Sequence, residues 1–308
     1  IQSATSSGGL ARQPALSASG RYVAFSATGT INETFYGPAH VFLRDLWGGP
    51  ESVQCLSCPN GEPAASGAST EPSISDDGCI VAFASTAAIL DDEPSTHDAA
   101  IYVWSCRSNS LRRLAPRSGV PTSPSSAPVL SGDGRTVAFV SAATQWSLRP
   151  ISSLGDVFRF DLATGRIDQI SIGRVGAGAY EAANGRSSVP SLSRHGTRIA
   201  FESTSTNLTG EALTPGYSRV LYLDCDLGND CQSSTPVVVE AGSAPINGSA
   251  SAPSISSDGS TVAFTSGATN LIAGEYPSSI SRVFTANLDS GLIRLVSRGL
   301  SEPWAGEG

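Results

Sequence analysis

Five twelve-residue segments of this chain align without a gap. They are Pro14-Ala-Leu-Ser-Ala-Ser-Gly-Arg-Tyr-Val-Ala-Phe25, Pro72-Ser-Ile-Ser-Asp-Asp-Gly-Cys-Ile-Val-Ala-Phe83, Pro128-Val-Leu-Ser-Gly-Asp-Gly-Arg-Thr-Val-Ala-Phe139, Pro190-Ser-Leu-Ser-Arg-His-Gly-Thr-Arg-Ile-Ala-Phe201 and Pro253-Ser-Ile-Ser-Ser-Asp-Gly-Ser-Thr-Val-Ala-Phe264. Their prolines lie 58, 56, 62 and 63 residues apart. A repeat of this length is one supersecondary unit that buries its apolar face against the next copy. Each unit continues alike: a polar loop, an apolar stretch such as Val157-Phe-Arg-Phe160, a turn such as Asp161-Leu-Ala-Thr-Gly165, and a short closing stretch such as Ile167-Asp-Gln-Ile170. No window carries the apolar spacing of a helix.

The unit therefore reads as four short strands, A to D. The Asp-Gly type of turn between A and B tolerates positive φ. Strand B, Val-Ala-Phe, is apolar on both faces, which predicts burial between neighbouring sheets. Four strands repeated at roughly 40–60 residues mark a propeller blade. The expected fold is all-β: a five-bladed β-propeller of four-stranded antiparallel blades. One propeller is expected over 1–308, with blades near 10–58, 68–116, 124–172, 186–241 and 249–298, and 299–308 as a C-terminal tail.

The segments resemble the WD40-like (PD40) repeat of TolB-like propellers, whose blades carry Ser-Pro-Asp-Gly-x-x-Ile-Ala-Phe-x-Ser. The secreted bacterial variant adds Thr-Asn-Leu after strand B, as in Ser203-Thr-Ser-Thr-Asn-Leu208 and Ser266-Gly-Ala-Thr-Asn-Leu271. The resemblance covers almost the whole chain and implies the fold; it implies protein partners only weakly, since propellers host many roles. Related repeats often place Asp-x-Asn-x-x-x-Asp in the B–C loop. Only the second blade approaches it, with Asp91, Asp92, Glu93 and Asp98, a weak calcium candidate against an expectation of no cofactor.

Composition removes several classes. Only 15% of the 308 residues are charged, against about 25% on average, and all 19 basic residues are arginine. Basic residues are too few and scattered for a nucleic-acid footprint. No apolar run reaches the roughly 18 residues of a membrane span. Methionine is absent, initiator included, which fits removal of a secretory signal.

The long B–C loops (about 27–40, 86–100, 142–156, 204–219 and 267–282) and D–A loops (about 57–71, 115–127, 172–189 and 240–252) would share one face. Long loops on a rigid scaffold usually carry function. Tyr36, Trp146, Tyr180, Tyr217 and Tyr276 lie in them and are the candidate ligand-binding face. Strand A carries serine and no carboxylate, which argues against the paired acids of a glycoside hydrolase at the centre. No nucleophile elbow and no phosphate-cradling loop is present, so no catalytic residue is assigned. His40, His97 and His195 form no metal pattern. Asn32, Asn207 and Asn247 open Asn-x-Ser/Thr triplets.

Six cysteines allow 15 pairings. Three local bridges are expected: Cys55–Cys58, Cys79–Cys106 across strands B and C, and Cys225–Cys231 around a C–D turn. A zinc site on Cys55, Cys58 and two more cysteines would need Cys225, far around the ring. Disulfides imply an oxidising compartment, hence a secreted, periplasmic or cell-surface protein. The functional expectation is a non-catalytic binding or assembly module that engages a protein or glycan. The alternatives are a glycosidase or lyase with loop acids (Asp91, Asp92, Glu181, Glu211, Glu275) and a structural subunit of a filament or envelope complex, with homo-oligomers.

Overall fold

The computed structural model describes residues 9–31, 34–49, 52–58, 62–63, 66–90, 98–175, 179–209, 213, 215–225, 231, 234–240, 245–272 and 280–297. Among them are five antiparallel four-stranded sheets, each built from consecutive strands. The first holds β1 (Ala11–Leu16), β2 (Tyr22–Ile31), β3 (Thr34–Asp45) and β4 (Val53–Cys55). The second holds β5 (Ser69–Ile74), β6 (Ile80–Ser85), β7 (Ala100–Ser105) and β8 (Ser110–Arg113). The third holds β9 (Ser125–Leu130), β10 (Thr136–Ser141), β11 (Asp156–Asp161) and β12 (Ile167–Gln169). A two-stranded ribbon follows, β13 (Gly173–Val175) and β14 (Ala179–Glu181). The fourth sheet is β15 (Ser187–Leu192), β16 (Arg198–Ser203), β17 (Arg219–Asp224) and β18 (Val237–Val238). The fifth is β19 (Ala250–Ile255), β20 (Thr261–Ser266), β21 (Arg282–Asn287) and β22 (Ile293–Leu295). These are the blades of an all-β propeller. Compact units divide the chain into Ile1–Leu148 with Phe158–Ile167, and Arg149–Val157 with Asp168–Gly308.

Every residue of the repeat has a local task. The turn glycines Gly20, Gly78, Gly134, Gly196 and Gly259 all have φ between 64 and 75° or slightly above, up to 78°, a region that only glycine enters freely. The serine three residues earlier accepts the first strand-B amide on its Oγ: Tyr22 onto Ser17, Ile80 onto Ser75, Thr136 onto Ser131, Arg198 onto Ser193 and Thr261 onto Ser256, each at 3.0 Å. Where aspartate precedes the glycine, it accepts from both sides: Asp77 takes the Ser75 hydroxyl (2.6 Å) and the Cys79 amide (2.9 Å).

Proline has no N–H for the ladder, so strand A bulges there. The residue ahead of each proline takes φ of 50–57°: Gln13, Glu71, Ala127, Val189 and Ala252. At Glu71, Ala127 and Ala252 the freed amide bonds to a side chain of the preceding sheet. Glu71 N–H donates to Gln13 Oε1 (3.0 Å), Ala127 N–H to Glu71 Oε2 (2.7 Å), and Ala252 N–H to Glu202 Oε2 (3.3 Å). Ser73 and Ser191 of strand A accept the Leu130 and Ile255 amides of the next sheet on Oγ. Val189 is β-branched and exposed, a poor residue for positive φ. Val189→Asn should therefore raise the unfolding free energy by about 1 kcal/mol, read as a higher urea midpoint at unchanged m-value.

Strand B is buried on both faces, as its pattern predicts: Val81, Ala82 and Phe83 are all fully buried. Its phenylalanine stacks across the ladder on a strand-C ring. The centroids are 5.6 Å apart for Phe25–Phe42, 5.8 Å for Phe83–Tyr102, 5.6 Å for Phe139–Phe158 and 5.8 Å for Phe264–Phe284. Such pairs add specificity to the burial that drives the sheet together. One expected loop, 27–40, is mostly strand: β2 and β3 continue as a hairpin, pairing Gly29 with Tyr36 and Ile31 with Thr34. The apolar Ile31 and Tyr36 bury against Phe42 and hold the extension down.

Candidate functional site

The β13–β14 ribbon is the element that the repeat does not predict. It pairs Gly173 with Glu181 and Arg174 with Tyr180. A Cβ on Gly173 would lie 2.7 Å from both Ala182 O and Asn207 Nδ2, so the strand approaches its support as only glycine can. That support is the Thr-Asn-Leu motif. Asn207 Nδ2 donates to Glu181 Oε1 (2.6 Å) and Ala182 O (3.1 Å), Asn207 Oδ1 accepts the Asn184 amide (3.1 Å), and Asn207 O accepts the Arg174 amide (2.8 Å). Asn184 and Thr206 exchange two further bonds at 2.8 Å. Asn247 and Thr269 repeat this exchange in the last sheet, where Asn270 Oδ1 accepts the Asn247 amide. Leu208 and Leu271 are buried beneath. The motif ties two loops together, and the amides of Asn207 and Asn247 are already engaged. Asn32 lies outside the described residues.

The ribbon presents Tyr180 between two arginines. The Arg149 guanidinium carbon lies 3.9 Å from the ring centroid and that of Arg174 5.5 Å. Both are within cation–π range. Arg174 also donates from Nη2 to Ser234 O. Burial lowers the Arg174 pKa, opposed by the neighbouring Tyr180. All three side chains are half-buried. Two guanidiniums around one aromatic ring suit a planar anion or an acidic group carried on an apolar body.

A buried carboxylate anchors the segment that carries Arg149. Asp156 is fully buried. It accepts the Ser152 amide (3.0 Å), Gln169 Nε2 (2.9 Å) and the Ser171 hydroxyl (2.9 Å). Gln169 Nε2 also donates to Pro150 O (2.9 Å). Desolvation pushes the Asp156 carboxyl up to about 6, against the pull of these donors.

Among the aromatic candidates that are described, Tyr180 stands with two arginines around it. Tyr36 and Trp146 are corrected to core positions. Tyr36 packs edge-on against Phe42 (4.9 Å) and His40 (5.3 Å). Trp146 ends a short 3-10 turn, Thr144–Trp146, that folds it onto Phe139 (4.7 Å) and Phe158 (6.5 Å). Both rings are apolar enough to be worth more buried than displayed. Tyr217 is half-buried, with its carbonyl accepting from Arg219 Nη1 (3.3 Å). Tyr276, the calcium candidates Asp91 and Asp92, Glu93, His97, Glu211 and Glu275 lie outside the described residues, as does 299–308; Asp98 is half-buried. His195 occupies the turn before Gly196.

Among the described residues the cysteines pair as Cys55–Cys58, Cys79–Cys106 and Cys225–Cys231, with Cα separations of 5.6, 4.9 and 4.6 Å. A cavity of about 220 Å³ beside Cys79–Cys106 is lined by Tyr22, Asp45 and Asp77 among others. The Arg21 guanidinium holds the Asp45 carboxyl low; for Asp77, burial raises the pKa but the Ser75 hydroxyl, the Cys79 amide and Arg107 outweigh it. Neither is the raised general acid that glycoside cleavage needs. Glu181 is held by Asn207.

Arg149 and Arg174 escape the sequence reading; Asp156 enters it only as the one acid of the Asp-x-Asn-x-x-x-Asp pattern that the third blade keeps. One signal for Asp156 is visible: the position one residue ahead of the apolar run of strand C reads His40, Ala100, Asp156, Arg219 and Arg282, and all five are buried. A column that mixes both charges inside an apolar unit marks positions that differ in task from blade to blade.

No family model matches the chain, and no curated protein matches it. Its likenesses are to solved structures. Putative TolB from Agrobacterium tumefaciens is similar at a TM-score of 0.51 and 18% identity, over 93% of this chain and 80% of that one. Oligogalacturonate lyase in complex with manganese gives 0.54 and 13%, over 93% and 66%. A Mycobacterium tuberculosis puromycin-hydrolyzing peptidase gives 0.54 and 15%, over 94% and 38%. The chain spans 55% of the length of TolB from Acinetobacter baumannii. The fold is that of a TolB-like β-propeller. At these identities the likeness is one of fold, which TolB, a lyase and peptidases share. No described helix is long and apolar enough to cross a membrane.

Proposed function

We propose that this chain is a non-catalytic binding module, secreted or at the cell surface, whose loop-rich face engages an anionic glycan or protein through Arg149, Tyr180 and Arg174. The observation that carries this reading is the cluster itself. In a chain of net charge −8, two guanidiniums converge on one half-exposed ring. They do so on the ribbon that departs from the repeat. The three disulfides support an oxidising compartment.

Binding to arrays of acidic and neutral glycans and to acidic peptides tests it. A hit should weaken by about tenfold or more in Arg149→Ala with Arg174→Ala, and in Tyr180→Ala. It should also weaken with salt and survive chelation of calcium. Ligand binding indifferent to all three substitutions would overturn the reading. So would turnover of a glycan or peptide that disappears on loss of one loop carboxylate.

A further inference from the structure

The end of the first sheet brings together three metal-ligating side chains that lie apart in sequence. Strand β4 pairs Cys55 with Phe42. The chain then folds back over the start of strand C: Leu56 N–H donates to Val41 O (2.8 Å), and Val41 N–H donates to Ser57 Oγ (3.0 Å). This turn sets Cys58 against His40, with Sγ 3.8 Å from Nδ1. The ligand atoms of His40, Cys55 and Cys58 all lie within 4.8 Å of one another.

His40 is 1% exposed. Its Nδ1 lies 3.1 Å from Ser57 Oγ. That oxygen accepts from Val41 and can give its own proton to Nδ1, the tautomer that puts the ring proton on Nε2 and the Nδ1 lone pair on the edge facing the sulfurs. Nε2 has no hydrogen-bond partner among the described residues. A buried imidazole tied down for structure alone normally satisfies both nitrogens. Here the satisfied edge is the one that faces the sulfurs. The Cys55–Cys58 bridge also has the least structural use of the three. Its sequence separation is 3, against 6 and 27, and a bridge over a short loop constrains the unfolded chain least.

We infer that the reduced chain binds one thiolate-preferring metal ion, of which zinc is the type, through Cys55 Sγ, Cys58 Sγ and His40 Nδ1. Metal binding and the Cys55–Cys58 bridge are then mutually exclusive states of one site. A dithiol reductant opens the bridge: each sulfur gains an electron and a proton while the two reductant thiols close to a disulfide. The ion then displaces both thiol protons to water, takes the Nδ1 lone pair, and keeps water in its fourth position. Zinc–sulfur and zinc–nitrogen bonds of about 2.3 and 2.0 Å in tetrahedral geometry place N and S about 3.5 Å apart, near the 3.8 Å seen. Two thiolates and an imidazole select a soft or borderline ion over calcium. Cys55 is half-buried and His40 is buried. The site lies in a different unit from the Tyr180 cluster and does not depend on its role.

Cobalt(II) titration of the whole chain, reduced under anaerobic conditions, tests this. One equivalent should give the sulfur-to-cobalt charge-transfer band and intense tetrahedral d–d bands, and zinc should bleach both. Cys58→Ser should abolish the bands. His40→Ala should weaken binding by on the order of 10–100-fold, at least what loss of an outer-shell partner costs. A chain with Cys79, Cys106, Cys225 and Cys231 all replaced by alanine should retain the bands. If that chain does not fold, alkylation of the reduced wild type decides: zinc should protect Cys55 and Cys58 and leave the other four reactive. Bands that persist without Cys55 and Cys58, affinity unchanged in His40→Ala, or protection that does not fall on these two cysteines overturns the proposal.

Discussion

Between pH 4 and 7 the wild-type chain should lose about 3 kcal/mol of unfolding free energy relative to Asp156→Asn. The folded carboxyl titrates near 6, above its ordinary 3.8. Between those values the folded protein keeps a proton that the unfolded chain has released. Unfolding free energy therefore falls as pH rises from about 4 to about 6, then levels off. About two pH units at about 1.4 kcal/mol each set the size. Asparagine keeps the shape and stays neutral. Its oxygen can take the Ser152 and Gln169 donors that meet at one carboxylate oxygen. Asp45, Asp77 and Asp161 titrate below their ordinary range, as does Asp258, which the Ser256 hydroxyl and the Ser260 amide and hydroxyl hold at about 2. Their contributions run the other way and are lost below about pH 4, so the difference between the two chains is the quantity to measure. Urea unfolding at several pH values supplies it. Parallel curves would mean that Asp156 titrates normally despite its burial.

Trp146→Ala should lower stability by about 3–5 kcal/mol, the range for emptying a fully buried large aromatic site. The indole is 1% exposed and packs against the stacked Phe139 and Phe158 rings. Tyr180→Ala, at a half-exposed ring, should cost about 1 kcal/mol or less beyond its cation contacts. Ligand affinity should rank the two in the opposite order. If Trp146→Ala leaves the denaturant midpoint in place and removes binding, the indole belongs to the recognition face after all.

The two tryptophan and tyrosine outcomes show where the sequence is transparent and where it is not. The blade is transparent because its motif residues act on near neighbours. Gly78 serves a turn, Ser75 caps an amide five residues on, and Phe83 faces Tyr102 within its own sheet. The repeat multiplies each signal by five. Loop residues act through contacts that no spacing encodes. Trp146 looks like a loop tip until a single 3-10 turn folds it inward. Arg149 and Arg174 are ordinary arginines until the ribbon places Tyr180 between them. His40 reads as an isolated histidine because its partners, Cys55 and Cys58, arrive only when strand D pairs with strand C. The cysteine pairs were legible because each bridge joins ends that the blade itself makes adjacent.

The hydrogen bond from the bulged residue of one sheet to a side chain of the sheet before it bears on how such chains diversify. The donor is a main-chain amide, at Glu71, Ala127 and Ala252, and it is offered whatever side chain stands there. Only the accepting side is constrained to a long polar residue such as Gln13, Glu71 or Glu202. A duplicated blade therefore brings this donor ready-made, and only the accepting side chain has to be matched to it, alongside the apolar face that packs on the next sheet.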